Sequence, residues 1–443
     1  MAERQRRTPD DPSGPVVLRP LVDFLHTEAA GGVVLLAATV VALAWANSPF
    51  KDSYTDLWHT ELALTLGHHT LELDLQEWVN DGLMAIFFFV VGLEIKRELV
   101  EGELREPRRA AMPAIAAVGG MVLPALIYTA INHGGDGAAG WGIPMATDIA
   151  MAVGVLSLLG RRVAPSLKLF LLALAIVDDI GAILVIALFY SGDIDLDALA
   201  LAAGIVLVVG VVRRAGVRPI AVYVLLGVGL WLAIHESGLH ATLAGVILGL
   251  MAPTRPIRQR RLIDEDALTD LSSPGAAHET MVLAKESVSV VEYLEHLLHP
   301  WTSFVILPIF ALANAGIPLS SQALSDAASS PITYGVIAGL VVGKLVGVTL
   351  FTWLAARLRI GVLPVGARWR DVVGVAMLAG IGFTVSIFVA GLAFDDTGLQ
   401  NEAKVGILAA SAIAATAGSF LLFRAGDAPV TAGASDQAVE SSR

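Results

Sequence analysis

The chain contains no cysteine among its 443 residues. That excludes disulfides, thiolate metal sites and cysteine nucleophiles. Charge is scarce as well: 16% of residues are Asp, Glu, Lys or Arg, against about 25% in a soluble domain. Residues 1–20 are basic and proline-rich but have no apolar core, so they do not read as a cleavable signal peptide. The first apolar helix is then expected to direct insertion itself. The basic residues form no single patch, and nucleic acid is not expected as a partner. What is abundant is apolar sequence, at 55%, the composition of a membrane protein. The formal net charge of −12 says less than the way the charges are distributed.

Twelve apolar stretches of spanning or near-spanning length can be drawn. They lie near 29–47, 78–98, 110–131, 141–160, 167–190, 196–212, 219–235, 238–252, 301–317, 332–355, 371–394 and 404–424. The reading is an all-α polytopic membrane protein with twelve transmembrane helices. Residues 1–28 are a cytoplasmic amino-terminal segment, 29–424 the transmembrane domain with a charged cytoplasmic loop at 253–300, and 425–443 a disordered tail. If the amino terminus and every second loop are cytoplasmic, that side holds every Lys and Arg except Lys51, Lys404 and the intrahelical Lys344. This is the positive-inside pattern, with both termini inside. On the opposite side, residues 62–75 alternate apolar and polar about a turn-like centre, a small extracytoplasmic β-hairpin. It is either an amphipathic cap on the membrane or an edge strand that pairs with a second subunit.

The centre of the sequence is Asp178-Asp179, midway along the apolar stretch 167–190. Each charge at the middle of a membrane helix costs about 2.5–3.5 kcal/mol, and such groups read as functional by default. Helix rise puts the pair roughly 17 Å deep and Lys344 roughly 18 Å deep, near the midplane of a core about 30 Å thick. Gly142 and Pro144 precede Thr147-Asp148, and Gly380 and Gly382 interrupt the eleventh stretch. Two interrupted helices are therefore expected, spans 4 and 11, in corresponding places of spans 3–5 and 10–12. The triplets run in opposite senses, the pattern of inverted-repeat transporters with a midplane site.

Two carboxylates, a threonine hydroxyl and free backbone carbonyls make an oxygen-only site. Hard cations prefer such ligands, and the same oxygens take protons, so the two compete. Adjacent helical residues point about 100° apart, so Asp178 and Asp179 cannot face one spot equally. Lys344 is either an ion-pair partner of one aspartate or itself a proton carrier. Asp148 belongs to the ion site or caps exposed backbone at the break, and Asp81 can be a helix-start residue. Glu94 and Arg97, at the cytoplasmic end of the second span, and Glu295, His296 and His299, before the ninth, are interfacial charges or pH-sensing groups. His240, at the outer end of the short eighth span, is open to the same two readings.

The segments 80–99 (NDGLMAIFFFVVGLEIKREL), 146–150 (ATDIA), 175–190 (AIVDDIGAILVIALFY), 237–245 (SGLHATLAG), 294–301 (LEHLLHPW), 310–316 (FALANAG), Gly343-Lys344 and 380–394 (GIGFTVSIFVAGLAF) resemble the NhaA sodium/proton antiporters of bacterial inner membranes. The resemblance implies electrogenic exchange of two protons for one sodium or lithium ion, with no cofactor. It implies Asp178 and Asp179 as the ion- and proton-binding pair. Thr147 and Asp148 would stand in a crossed assembly of spans 4 and 11, where Asp148 balances positive helix ends and Lys344 the site charge. It also implies pH-response roles for Glu94, Arg97, His240, Glu295, His296 and His299, and a homodimer contact at the hairpin. Glu292 and Tyr293 stand where the family carries basic residues, and the loop 253–300 and both termini are longer than usual. Two other functions suit the residues less well. Symport of an organic anion with a cation needs a roomier cavity. An intramembrane aspartyl protease needs a Gly-x-Gly-Asp, which does not occur here.

Overall fold

The computed structural model describes residues 19–66, 69–217, 219–254 and 289–425. The expected amino-terminal segment up to residue 18, the hairpin tip Gly67-His68, residues 255–288 of the expected loop and the tail from 426 lie outside the described residues. Among those described, seven helices are long and apolar enough to cross a membrane, or nine if each of two bent pairs is one span. The chain is a polytopic, mostly helical membrane protein.

Helix α1 (Arg19–Ala46) is followed by a short α2 (Lys51–Trp58) and a two-stranded antiparallel sheet, β1 (Glu61–Leu66) with β2 (His69–Asp74). The register pairs Glu61 with Asp74 and Leu64 with Leu71. Asp74 ends the sheet and starts the next helix through a capping box with Glu77, which satisfies two end donors reciprocally. A π-helical turn, Trp78–Leu83, leads into α3 (Met84–Val100). α2 is tied back to the bundle by Tyr54, whose hydroxyl donates to the Leu312 carbonyl at 2.8 Å. Burial pushes this phenol up to about 12.

Then come α4 (Pro107–Ile131), a 3₁₀ segment (Asp136–Met145), α5 (Ile149–Leu158), α6 (Pro165–Phe189), α7 (Leu196–Arg214), α8 (Ile220–Glu236) and α9 (Leu243–Met251). Proline opens α4 and α6, where its missing N–H costs nothing. Asp195 caps α7 by accepting from the Asp197 and Ala198 amides. After the loop follow α10 (Val290–Trp301), a π turn (Thr302–Ile306), α11 (Leu307–Asn314), α12 (Ser321–Ser329), α13 (Pro331–Ile337), a second π turn (Ala338–Gly343), α14 (Lys344–Arg357), α15 (Trp369–Leu378), α16 (Phe383–Ala393) and α17 (Thr397–Ala425). Lys344 is the first residue after a π turn, a place where functional groups are often found.

Two helix crossings rest on missing side chains. A Cβ on Gly245 of α9 would sit 2.0 Å from the Ala85 carbonyl oxygen of α3, and one on Gly249 would sit 2.5 Å from the Phe89 carbonyl. α4 and α14 touch backbone to backbone at Gly119 and Gly347 in the same way. Small residues at such crossings let membrane helices pack closely. Gly245→Val is therefore expected to destabilise the protein by about 3 kcal/mol, at the upper end for overpacking. A heated detergent sample that keeps its folded fraction like the parent would contradict this.

Candidate functional site

The two bent pairs, Asp136–Met145 with Ile149–Leu158 and Trp369–Leu378 with Phe383–Ala393, turn by 45° and 46°. Their breaks meet. The Asp148 amide donates to the Ile381 carbonyl at 2.7 Å, and Ser386 Oγ donates to the Ile143 carbonyl at 2.8 Å. Glycine and proline explain why each helix stops, and the unsatisfied backbone groups of one break are used by the other.

Asp148 is the N-cap of α5, with Oδ1 accepting from the Met151 amide at 2.9 Å. Its Oδ2 accepts from the Thr384 amide at 3.0 Å and from Thr384 Oγ1 at 2.5 Å. One carboxylate thus serves the amino-terminal ends of two half-helices, α5 and α16, where helix dipoles favour negative charge. The capping reading of Asp148 matches these hydrogen bonds.

Asp178 and Asp179 face different partners. Asp178 is fully buried and forms an ion pair with Lys344, also fully buried. Thr147 Oγ1 accepts from Lys344 Nζ at 2.9 Å and lies 2.6 Å from Asp178 Oδ2 and 2.9 Å from the Ala379 carbonyl. A hydroxyl has one proton, so Thr147 donates to one of these two oxygens at a time. Asp178 Oδ1 is buried without a hydrogen-bond partner among the described residues. Such an orphan keeps acceptor capacity that no described group uses.

Asp179 has no ion-pair or hydrogen-bond partner among the described residues. It lines a cavity of about 40 Å³ with Glu94, Thr147, Asp148, His299 and Thr384. Space of that size takes a few waters or a small ion. The remaining walls include Phe87, Val90 and Leu307 together with Thr302 and Ser303. His299 also faces a second charged group, the Arg97–Glu295 pair. Arg97 pairs with Glu295 and lies 3.6 Å from Glu98, while Glu295 Oε2 has no hydrogen-bond partner among the described residues. Glu295 and His299 are buried; His296, on the same helix, is exposed. His240 stands apart from these groups, with Nε2 2.6 Å from the Tyr190 carbonyl. A carbonyl only accepts, so this nitrogen carries the proton.

Of the residues singled out from the sequence, the structure gathers Thr147, Asp148, Asp178, Asp179 and Lys344 at the crossing, sets Glu94 and His299 on the cavity wall, and pairs Arg97 with Glu295. It leaves His240 and His296 outside both groups. Sequence reasoning passed over Thr384 and the carbonyls of Ala379 and Ile381 as site groups. Their only signal was the Gly-x-Gly-Phe-Thr interruption, which marks a break but not its partner.

The sequence profile of the Na+/H+ antiporter 1 family matches residues 22–422. A Na(+)/H(+) antiporter NhaA of Rhodopirellula baltica is 49% identical over 91% of this chain and 94% of its own length. One of Syntrophobacter fumaroxidans is 47% identical over 93% and 91%, and Na(+)/H(+) antiporter NhaA 2 of Acidiphilium cryptum is 47% identical over 90% of each chain.

Proposed function

Because the chain belongs to the Na+/H+ antiporter 1 family, whose members are transporters and not enzymes, we propose that it expels sodium or lithium from the cell in exchange for protons. The observation that carries this reading is Asp179, unpaired at the wall of a narrow cavity, beside an ion-paired Asp178. A cation entering the cavity finds carboxylate and hydroxyl oxygens and competes there with protons. The two species exclude each other, and that exclusion couples their flows. The cavity is too narrow for an organic anion, which disfavours symport.

In this reading Asp178, Asp179, Thr147 and Asp148 bind the ion and protons, and Lys344 balances charge or carries a proton. Glu94, Arg97, Glu295 and His299, with His240 and His296, tune the response to pH. Exchange of two protons for one sodium ion moves one net charge. A membrane potential of 100 mV then contributes about 2.3 kcal/mol per cycle. Three further helices, Trp78–Val100, Ile220–Glu236 and Leu243–Met251, would bring the nine spans to twelve. Both termini would then lie in the cytoplasm, and spans 3–5 and 10–12 would form inverted repeats. The β1–β2 hairpin would face outward as a contact between two copies in the bacterial inner membrane.

Reconstituted protein should release protons from acid-loaded vesicles when sodium or lithium is added outside. The release should speed up when a potassium diffusion potential favours the net charge movement. No pH change on adding sodium would sink antiport. A rate insensitive to the potential would sink the two-for-one exchange.

A further inference from the structure

The outer limb of the first broken span is an irregular piece of backbone that something must hold. Asp136–Met145 is a ten-residue 3₁₀ helix, whereas runs beyond 3–4 residues are uncommon because the hydrogen-bond geometry is poor. It leads straight to Thr147 and Asp148. Every residue from Gly142 to Asp148 is buried, so displacement of the limb passes directly to the site.

Tyr190 holds this limb. It caps the carboxyl-terminal end of α6, the helix that carries Asp178 and Asp179. Its hydroxyl donates to the Ala139 carbonyl at 2.8 Å and accepts from the Gly142 amide at 2.9 Å. Its ring stacks on Trp141 at 6.2 Å between centroids, 24° from parallel. A Cβ on Gly142 would lie 2.6 Å from the Tyr190 hydroxyl oxygen, so glycine is needed there for the bond to form. Tyr190 is itself held, because His240 Nε2 donates to its carbonyl.

We propose that Tyr190 is a positioning residue for the ion site. By tying the 3₁₀ limb to α6, its hydroxyl sets the distance between Thr147 and Asp178, and so the affinity for the cation. His240 acts on the site through Tyr190. This rests on the site assignment made above. A second tyrosine supplies a control: the Tyr128 hydroxyl donates to the Gly137 carbonyl of the same limb at 2.8 Å, but from α4, which carries no site carboxylate.

Tyr190→Phe keeps the ring and removes both hydrogen bonds. In reconstituted vesicles it is expected to raise the sodium concentration for half-maximal exchange about 10-fold, with the maximal rate within about twofold of the parent. A site geometry that binds more weakly but still turns over has this signature. Tyr128→Phe is expected to shift the half-maximal concentration far less. If Tyr190→Phe does not fold, Gly142→Ala displaces the same hydroxyl from the opposite side and should give the same split. An unchanged half-maximal concentration in a folded variant overturns the proposal, as does an equal shift in Tyr128→Phe, which would mean general loosening of the limb. Exchange that survives Asp179→Asn would instead overturn the site assignment, and this proposal with it.

Discussion

Asp179→Asn is expected to reduce sodium-driven proton movement to the background of protein-free vesicles at every pH. Asparagine has nearly the same shape, so packing is kept. It can neither take up a proton in this range nor offer a negative charge to a cation. Asp179 makes the cleaner test of the two aspartates because no cation pairs with it among the described residues. Asp178→Asn should abolish exchange as well, but it also strips Lys344 of its counter-charge. Stability measured beside transport separates the causes: Asp179→Asn should melt close to the parent, and Asp178→Asn well below it. Robust exchange in folded Asp179→Asn would remove the aspartate pair from the mechanism.

Lys344→Met is expected to destabilise the protein by about 3–5 kcal/mol, the range for removing one partner of a buried ion pair. Both members of the pair are 0% exposed, so the aspartate left behind has no water to turn to, and Thr147 Oγ1 is its remaining donor. The loss should not add to that of Asp178→Asn. Groups in one hydrogen-bonded network couple, and a double variant, Lys344→Met with Asp178→Asn, should regain most of the stability without regaining transport. Thermal unfolding in detergent measures both. A double variant no more stable than Lys344→Met would mean that the loss does not come from an aspartate left without its counter-charge.

The site was legible in the sequence as far as depth allows. Counting helix rise from the ends of the apolar stretches puts Asp178, Asp179 and Lys344 at one level, and the glycine and proline interruptions mark where backbone must find outside partners. Direction was not legible. The 100° between adjacent residues says that the aspartates diverge, but which one meets Lys344 depends on how α6 packs against α14. Thr384 illustrates the same limit: it contributes an amide and a hydroxyl to Asp148 from 236 residues away. His240 and His299 look alike in sequence as histidines near span ends. One holds a backbone carbonyl at Tyr190 and the other lines the small cavity beside Asp179.

By itself the sequence determined that this chain lives in a membrane and that it carries carboxylates and a lysine near the middle of apolar helices. Hydropathy and the cost of intramembrane charge act locally, residue by residue, so they can be read from the string. The tertiary structure decided that two broken helices complete each other's backbone, that Asp178 is paired with Lys344 while Asp179 lines a small cavity, and that a tyrosine at the far end of their helix is hydrogen-bonded to the limb opposite. These depend on contacts between segments far apart in sequence, and only the packing of whole helices sets those distances.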